Sequence, residues 1–106
     1  MLARVQVPPR ARRGEIIRIG IMIQHPMETG FRPDIYGKRI PKNVIHTLVC
    51  RYNGGEIFRA EMGSGIAANP ILQFHTVAQE SGEIVFDWVD DSGNRGTASA
   101  AISIAG

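Results

Sequence analysis

The single cysteine, Cys50, is the residue most suited to covalent chemistry, because a cysteine beside a histidine can act as a nucleophile–base pair. The chain holds three histidines, His25, His46 and His75. His46 lies four residues from Cys50, so in a strand the two share a face but stand more than ~10 Å apart. A cysteine in the middle of a strand pattern is usually a buried, inert thiol. We therefore expect a structural cysteine, and a thiol enzyme remains the hypothesis that an accessible Cys50 would support.

Other catalytic and metal-binding patterns are weak. The histidines are scattered, whereas structural zinc sites show tight local pairs of Cys or His. We expect surface or loop histidines, no metal and no cofactor. Glu28 could act as a general base, but no nucleophile or second carboxylate stands beside it in the sequence. We find no Gly-rich phosphate loop and no nucleophile elbow in the sequence, so we predict that the chain is not an enzyme.

The stretch from His25 to Lys42 does not alternate and is long for a connection in a small β domain. Long loops of this kind are often functional. It opens with HPMETG at residues 25–30. Pro26 fixes φ and cannot donate to a ladder, so it ends the preceding strand, and Gly30 permits a turn. This segment is either a plain strand end with a loop or a surface shaped for a partner.

Period-two alternation dominates the rest of the chain and predicts the strands that must position these residues. The clearest case is residues 15–24, where Ile17, Ile19, Ile21 and Ile23 share one face. About seven strands are predicted: residues 3–7, 15–24, 43–52, 56–62, 71–77, a strand opening at 82, and 97–104. Asn53-Gly54, between the third and fourth of these, predicts a hairpin turn because both residues accept positive φ. The regular spacing of the strands predicts an all-β, immunoglobulin-like sandwich of about seven antiparallel strands. Phe86 and Trp88 share a face and are expected in its core.

Composition points to a single domain over residues 1–106. The net charge is +2, with several arginines near the start. Residues 1–13 are expected to be a basic, frayed terminal segment rather than a nucleic-acid or membrane-binding patch. The longest apolar stretch, residues 16–23, is short and contains Arg18. The Arg12-Arg13 pair is not followed by an uncharged apolar region, so we expect no export signal in this chain.

Several motifs together resemble the SoxZ family of sulfur oxidation proteins. The resemblance runs from about Gly14 to about Ile104 and includes Gly37-Lys38, Ile40-Pro41 and the stretch from Trp88 to Gly93. Its motif residues, which we predict to bind a partner or to form the family motif, are His25, Pro26, Met27, Glu28, Thr29, Gly30, Arg32, Asn69 and Pro70.

This resemblance implies a scaffold subunit without catalytic groups. It implies tight pairing with SoxY, whose cysteine on a Gly-rich C-terminal arm carries covalently bound sulfur intermediates of thiosulfate oxidation between Sox enzymes. It further implies transient contacts with those enzymes and a periplasmic location, reached by co-export with a signal-bearing SoxY. Without SoxY, both a monomer and self-association through a bare edge strand stay open.

Two further possibilities follow from the sequence. The alternative function is a stand-alone immunoglobulin-like module that binds a protein or another ligand, and it would favour aromatic residues exposed on loops. If the chain is a subunit of such a carrier complex, cations of the 25–42 loop such as Arg32 and Arg39 could favour the negatively charged thiosulfonate on the partner's thiol. Exposed charges contribute only ~1 kcal/mol or less each.

Overall fold

In the computed structural model, which describes residues 2–106, every regular element is a β-strand. No helix within residues 2–106 combines the length and apolar character needed to cross a membrane. The strands are β1 (Ala3–Gln6), β2 (Arg10–Arg12), β3 (Ile16–Ile23), β4 (Ile45–Tyr52), β5 (Gly55–Glu61), β6 (Ile71–Val77), β7 (Gly82–Asp90) and β8 (Arg95–Ala105).

The strands form two sheets that face each other. One sheet has three strands in the order β1-β3-β6, and the other has five in the order β2-β8-β7-β4-β5. The pairs are antiparallel except that β2 runs parallel to β8. This architecture confirms the predicted all-β, immunoglobulin-like sandwich.

The start of the chain agrees with the sequence prediction in one part and differs in another. Residues 3–6 pair with β3, which confirms the strand predicted at residues 3–7, whereas residues 10–12 of the expected frayed segment pair with β8. The β2 strand is the element that brings the count above the expected seven. Three residues next to Pro8-Pro9 are too few to show alternation, and their pairing depends on β8, far along the chain.

The core lies between the sheets and contains the predicted apolar faces. The four isoleucines at 17, 19, 21 and 23 are buried, as are Phe86 and Trp88. Phe74 of the three-stranded sheet joins the layers, because its ring stacks on Phe58 at 4.3 Å and meets the edge of Phe86 at 6.2 Å. Aromatic pairs in these geometries stabilise a core beyond the area that they bury.

The β4–β5 connection is the tight hairpin turn that the sequence predicts. Asn53 and Gly54 both have positive φ, 48° and 84°. The side chain of Asn53 also accepts the N–H of Glu83 at 2.9 Å and donates to the carbonyl of Ser81 at 3.2 Å. The turn therefore also ties β5 to the start of β7 at this end of the sandwich.

Packing of Trp88 requires glycine at position 96. A Cβ added to Gly96 would stand 2.3 Å from two ring atoms of Trp88. We expect Gly96→Ala to lower the free energy of unfolding by about 1–3 kcal/mol, because the ring must leave its position. Urea unfolding followed by Trp88 fluorescence measures this. Gly63→Ala is the matched control, since nothing lies within 4 Å of its added Cβ. Equal unfolding midpoints for the two variants would contradict the packing argument.

Candidate functional site

His25 is buried at the end of β3, where only 3% of its surface is exposed. Its Nδ1 accepts the backbone N–H of Met27 at 2.9 Å, and its Nε2 lies 3.1 Å from Oδ2 of Asp90. Because Nδ1 accepts a hydrogen bond, Nε2 carries the ring proton and donates it to Asp90. His25 lies just after β3 and outside any strand, as expected of a loop histidine, but it is inside the protein rather than on the surface. Its acidic partner is 65 positions away and invisible to local sequence patterns.

Asp90 is the second half of this buried pair. Burial raises the pKa of its carboxyl, but hydrogen bonds from His25, Asn94 and Ser92 outweigh burial and leave that pKa below its usual value. Its Oδ1 accepts the N–H groups of Ser92 and Asn94 at 3.0 and 2.9 Å. The ionised carboxylate thus shapes the β7–β8 turn and holds the imidazole in one orientation.

The next residues lead the chain out of the sandwich into the hairpin of residues 28–43, which we call the 28–43 hairpin. Met27 is buried with a positive φ of 50°, and its sulfur accepts the N–H of Ile45 at 3.3 Å. Glu28 and Asn43 then exchange two backbone hydrogen bonds of 2.9 and 2.8 Å. Positive φ is costly for a residue with a side chain, so the buried contacts must hold Met27 there.

The structure brings the predicted motif residues together at the root of this hairpin. Asn69, with φ 53°, accepts the N–H of His25 through its side chain at 3.0 Å and donates its own N–H to the carbonyl of His25 at 2.8 Å. Pro70 is buried, and its carbonyl accepts the N–H of Ile23. Thr29 accepts the N–H of Phe31 at 3.2 Å. A partner-binding role for these residues stays a prediction.

The motif residues include buried residues that contact other parts of the chain and exposed residues that face solvent. His25 and Met27 are buried, whereas Pro26 and Arg32 are exposed. Glu28 forms a two-point ion pair with Arg32, whose hydrogen bond lowers the pKa of the Glu28 carboxyl. A lowered pKa makes Glu28 a weaker base, and the pairing leaves Arg32 less free to attract another anion.

Residues 31–39 of the 28–43 hairpin are all exposed. They include three large apolar side chains that sequence reasoning did not single out: Phe31, Ile35 and Tyr36. The available signal was the presence of large apolar residues in a long segment without alternation. Large apolar side chains exposed on one segment often mark an interaction site.

Cys50 has the inert environment that its strand position predicts. Its residue is fully buried between Phe58 of β5 and Phe86 of β7 in the pairing register. Burial raises the pKa of the thiol to about 12. Across residues 2–106, no three His, Cys, Asp or Glu side chains come together as metal ligands.

Comparison with known proteins gives one sequence match and several structural neighbours. The model of the family described as "Sulphur oxidation protein SoxZ" matches residues 5–101. No curated protein sequence matches the chain.

Several structural neighbours are described as superoxide reductases. The neelaredoxin from Ignicoccus hospitalis has a TM-score of 0.74 and 14% identity, with 99% of this chain and 81% of that chain covered. A putative superoxide reductase from Thermotoga maritima has a TM-score of 0.72 and 14% identity, with 98% and 86% covered.

A third neighbour is the sulfur carrier protein SoxY from Chlorobium limicola f thiosulfatophilum, with a TM-score of 0.66 and 7% identity. That alignment covers 97% of this chain and 78% of that chain. Identities this low show a shared fold alone.

Thiol labelling tests the buried state of Cys50. With a pKa of about 12, only about one thiol in ten thousand is ionised at pH 8, and the thiolate is the reactive form. We expect a maleimide or disulfide reagent to leave the folded protein unlabelled at pH 8 and to label it fully in urea. Rapid stoichiometric labelling of the folded protein would contradict the structure and revive the thiol-enzyme hypothesis.

Replacing His25 with alanine tests whether the hydrogen bonds of its imidazole stabilise the fold at the root of the 28–43 hairpin. We expect His25→Ala to lower the free energy of unfolding by about 2–4 kcal/mol, because Asp90 loses a donor and the Met27 N–H loses its acceptor in a buried place. Urea unfolding measures the change. His75→Ala is the matched control, since His75 is exposed on β6 and should change stability by less than about 0.5 kcal/mol. Similar losses of unfolding free energy in both variants would refute a stabilising role for the His25 imidazole.

Proposed function

Because this chain belongs to the SoxZ family of sulfur oxidation proteins, we propose that it is the non-catalytic scaffold subunit of a SoxYZ carrier complex. In that complex SoxY would bear the covalently bound sulfur intermediates of thiosulfate oxidation, and this chain would stabilise SoxY and help to present it. The observation that carries the proposal is the family match over residues 5–101.

The state of Cys50 supports this division of labour. A carrier thiol must reach into several enzymes, so it has to be mobile and accessible, whereas Cys50 is fully buried with its pKa raised to about 12. A carrier thiol must also ionise readily to accept sulfur groups. The carrier cysteine of the proposed complex therefore belongs to the partner.

Exposed apolar side chains on the three-stranded sheet support the proposal that this chain forms a stable complex with a partner. On the outer face of the three-stranded sheet, exposed Ile16 stands opposite Val77 and exposed Ile71 stands opposite Met22. Permanent complexes often bury more than about 2,000 Å², which needs a broad face of this kind. SoxY itself has a related sandwich fold, so we propose a heterodimer of two similar domains.

Location and further contacts belong to the same proposal. We propose that the complex works in the periplasm, that the signal peptide of SoxY exports both subunits together, and that other Sox enzymes bind the complex transiently. We propose no nucleic-acid or membrane partner.

A second candidate function is favoured by one observation. A stand-alone interaction module should expose aromatic residues on loops, and Phe31 and Tyr36 are 72% and 83% exposed on the 28–43 hairpin. Such a module would bind its target through this hairpin without a permanent subunit.

Purification from the native host separates the two functions. The tagged chain is isolated from cells grown on thiosulfate, and the intact complex is weighed by mass spectrometry. We expect a second small protein in equal amount, with sulfur-containing mass additions on its C-terminal cysteine. A chain that emerges alone, or with a partner that carries no sulfur adducts, would overturn the carrier proposal in favour of the stand-alone module.

A further inference from the structure

The outer part of the 28–43 hairpin presents an apolar group in water. Phe31, Ile35 and Tyr36 are 72%, 90% and 83% exposed. Arg39 places its guanidinium 5.8 Å from the centre of the Phe31 ring, within cation–π range. Burying large apolar side chains is favourable, so their exposure in the isolated chain favours association.

The backbone of this tip is held in one shape by Asp34. Its Oδ1 accepts the N–H groups of Tyr36 and Lys38 at 2.8 and 3.0 Å, and its own N–H donates to the carbonyl of Lys38 at 2.6 Å. Below the tip, the N–H of Ile40 donates to the carbonyl of Arg32 at 2.8 Å. The apolar side chains are thus carried on an ordered turn.

The root of the hairpin is equally constrained. The buried His25–Asp90 pair fixes the chain where it leaves β3, and the two Glu28–Asn43 hydrogen bonds close the base. Gly30 is packed so closely on Lys42 that an added Cβ would lie 3.1 Å from the Lys42 Cβ. A surface that is already ordered loses less conformational entropy when it binds, which strengthens binding by a small contact area.

The charges around the tip are cationic on balance. The two carboxylates of the hairpin are already engaged, Glu28 with Arg32 and Asp34 with backbone N–H groups. Lys38 and Arg39 are exposed next to the apolar group. This combination complements a surface in which carboxylates border an apolar depression.

We propose that the hairpin tip, formed by Phe31, Ile35 and Tyr36 with Lys38 and Arg39, docks into a carboxylate-rimmed apolar pocket on an enzyme that acts on the carrier complex. The size of the tip fits a transient partner. Three such side chains bury on the order of 500 Å², which is far below the area of a permanent interface. The identity of this partner as an enzyme of the carrier cycle rests on the function proposed above.

Photo-crosslinking in the native host tests the proposal. A benzoylphenylalanine probe replaces Tyr36 in one strain and Ile71, on the sheet face, in a matched control strain, both grown on thiosulfate. We expect the Tyr36 probe to crosslink a protein other than SoxY, at apolar peptides flanked by Asp or Glu, and the Ile71 probe not to crosslink that protein. Crosslinks from position 36 to SoxY alone, or to no protein, would overturn the proposal.

Binding measurements with the crosslinked protein, purified, give the second arm. The complete complex carrying Phe31→Ser and Tyr36→Ser should bind it at least about tenfold more weakly than the wild type. Lys38→Glu with Arg39→Glu should weaken binding most at low salt and flatten its salt dependence. Ser99→Ala, at an exposed position of β8 outside both the hairpin and the three-stranded sheet, is the control and should bind like the wild type. Unchanged affinity in both hairpin variants would overturn the docking surface.

The two proposals can fail separately. Suppose that SoxY does not co-purify, but the probe at position 36 still crosslinks a protein and Lys38→Glu with Arg39→Glu still weakens that crosslink. The carrier function then fails and the docking surface stands. If SoxY co-purifies with its sulfur adducts while position 36 gives no crosslink, the carrier function stands and the docking surface is refuted.

Discussion

The hydrogen bonds of one buried imidazole connect the sandwich to its exposed hairpin. The imidazole of His25 bonds to Met27 at the root of the hairpin and to Asp90 at the end of β7, while the backbone N–H of His25 donates to Asn69 before β6. These partners come from separate parts of the chain, so together they fix both the backbone and the ring of His25. In a buried site an unsatisfied donor or acceptor is costly, which makes such a network all-or-none. The direction in which the chain leaves β3 is therefore set by the closed network rather than by local backbone preference.

The core and the surface of this molecule consequently have different roles. Between the sheets, alternating aliphatic side chains and the Phe58–Phe74–Phe86 rings make a rigid layer in which Cys50 is one more apolar residue. Chemistry that needs an accessible thiolate cannot occur in that layer. What remains available for function is the outside of the sandwich: the outer face of the three-stranded sheet and the 28–43 hairpin. Both present apolar side chains to solvent, and both are suited to binding other proteins.

The sequence was informative wherever structure depends on neighbours two residues apart, and uninformative where it depends on distant pairs. Alternation in residues 15–24 correctly predicted the buried face of β3, and the Asn53-Gly54 pair correctly predicted a hairpin turn. The β2 strand was missed because its order comes from β8. The burial of His25 was missed for the same reason, since its acidic partner lies 65 residues away. The exposed hairpin tip was missed because exposure of an apolar residue has no local signature.

Proteins that share this fold but differ in their descriptions raise the question of which residues encode function. The same sandwich serves a sulfur carrier protein at 7% identity and superoxide reductases at 14% identity, so the strands alone cannot specify a role. In this chain the residues of the HPMETG motif divide between burial and exposure: His25 and Met27 fix the hairpin, while Pro26 faces solvent. A motif built in this way constrains the position of the segment that follows it. Such a motif therefore fixes where the 28–43 hairpin stands, whatever residues its tip carries.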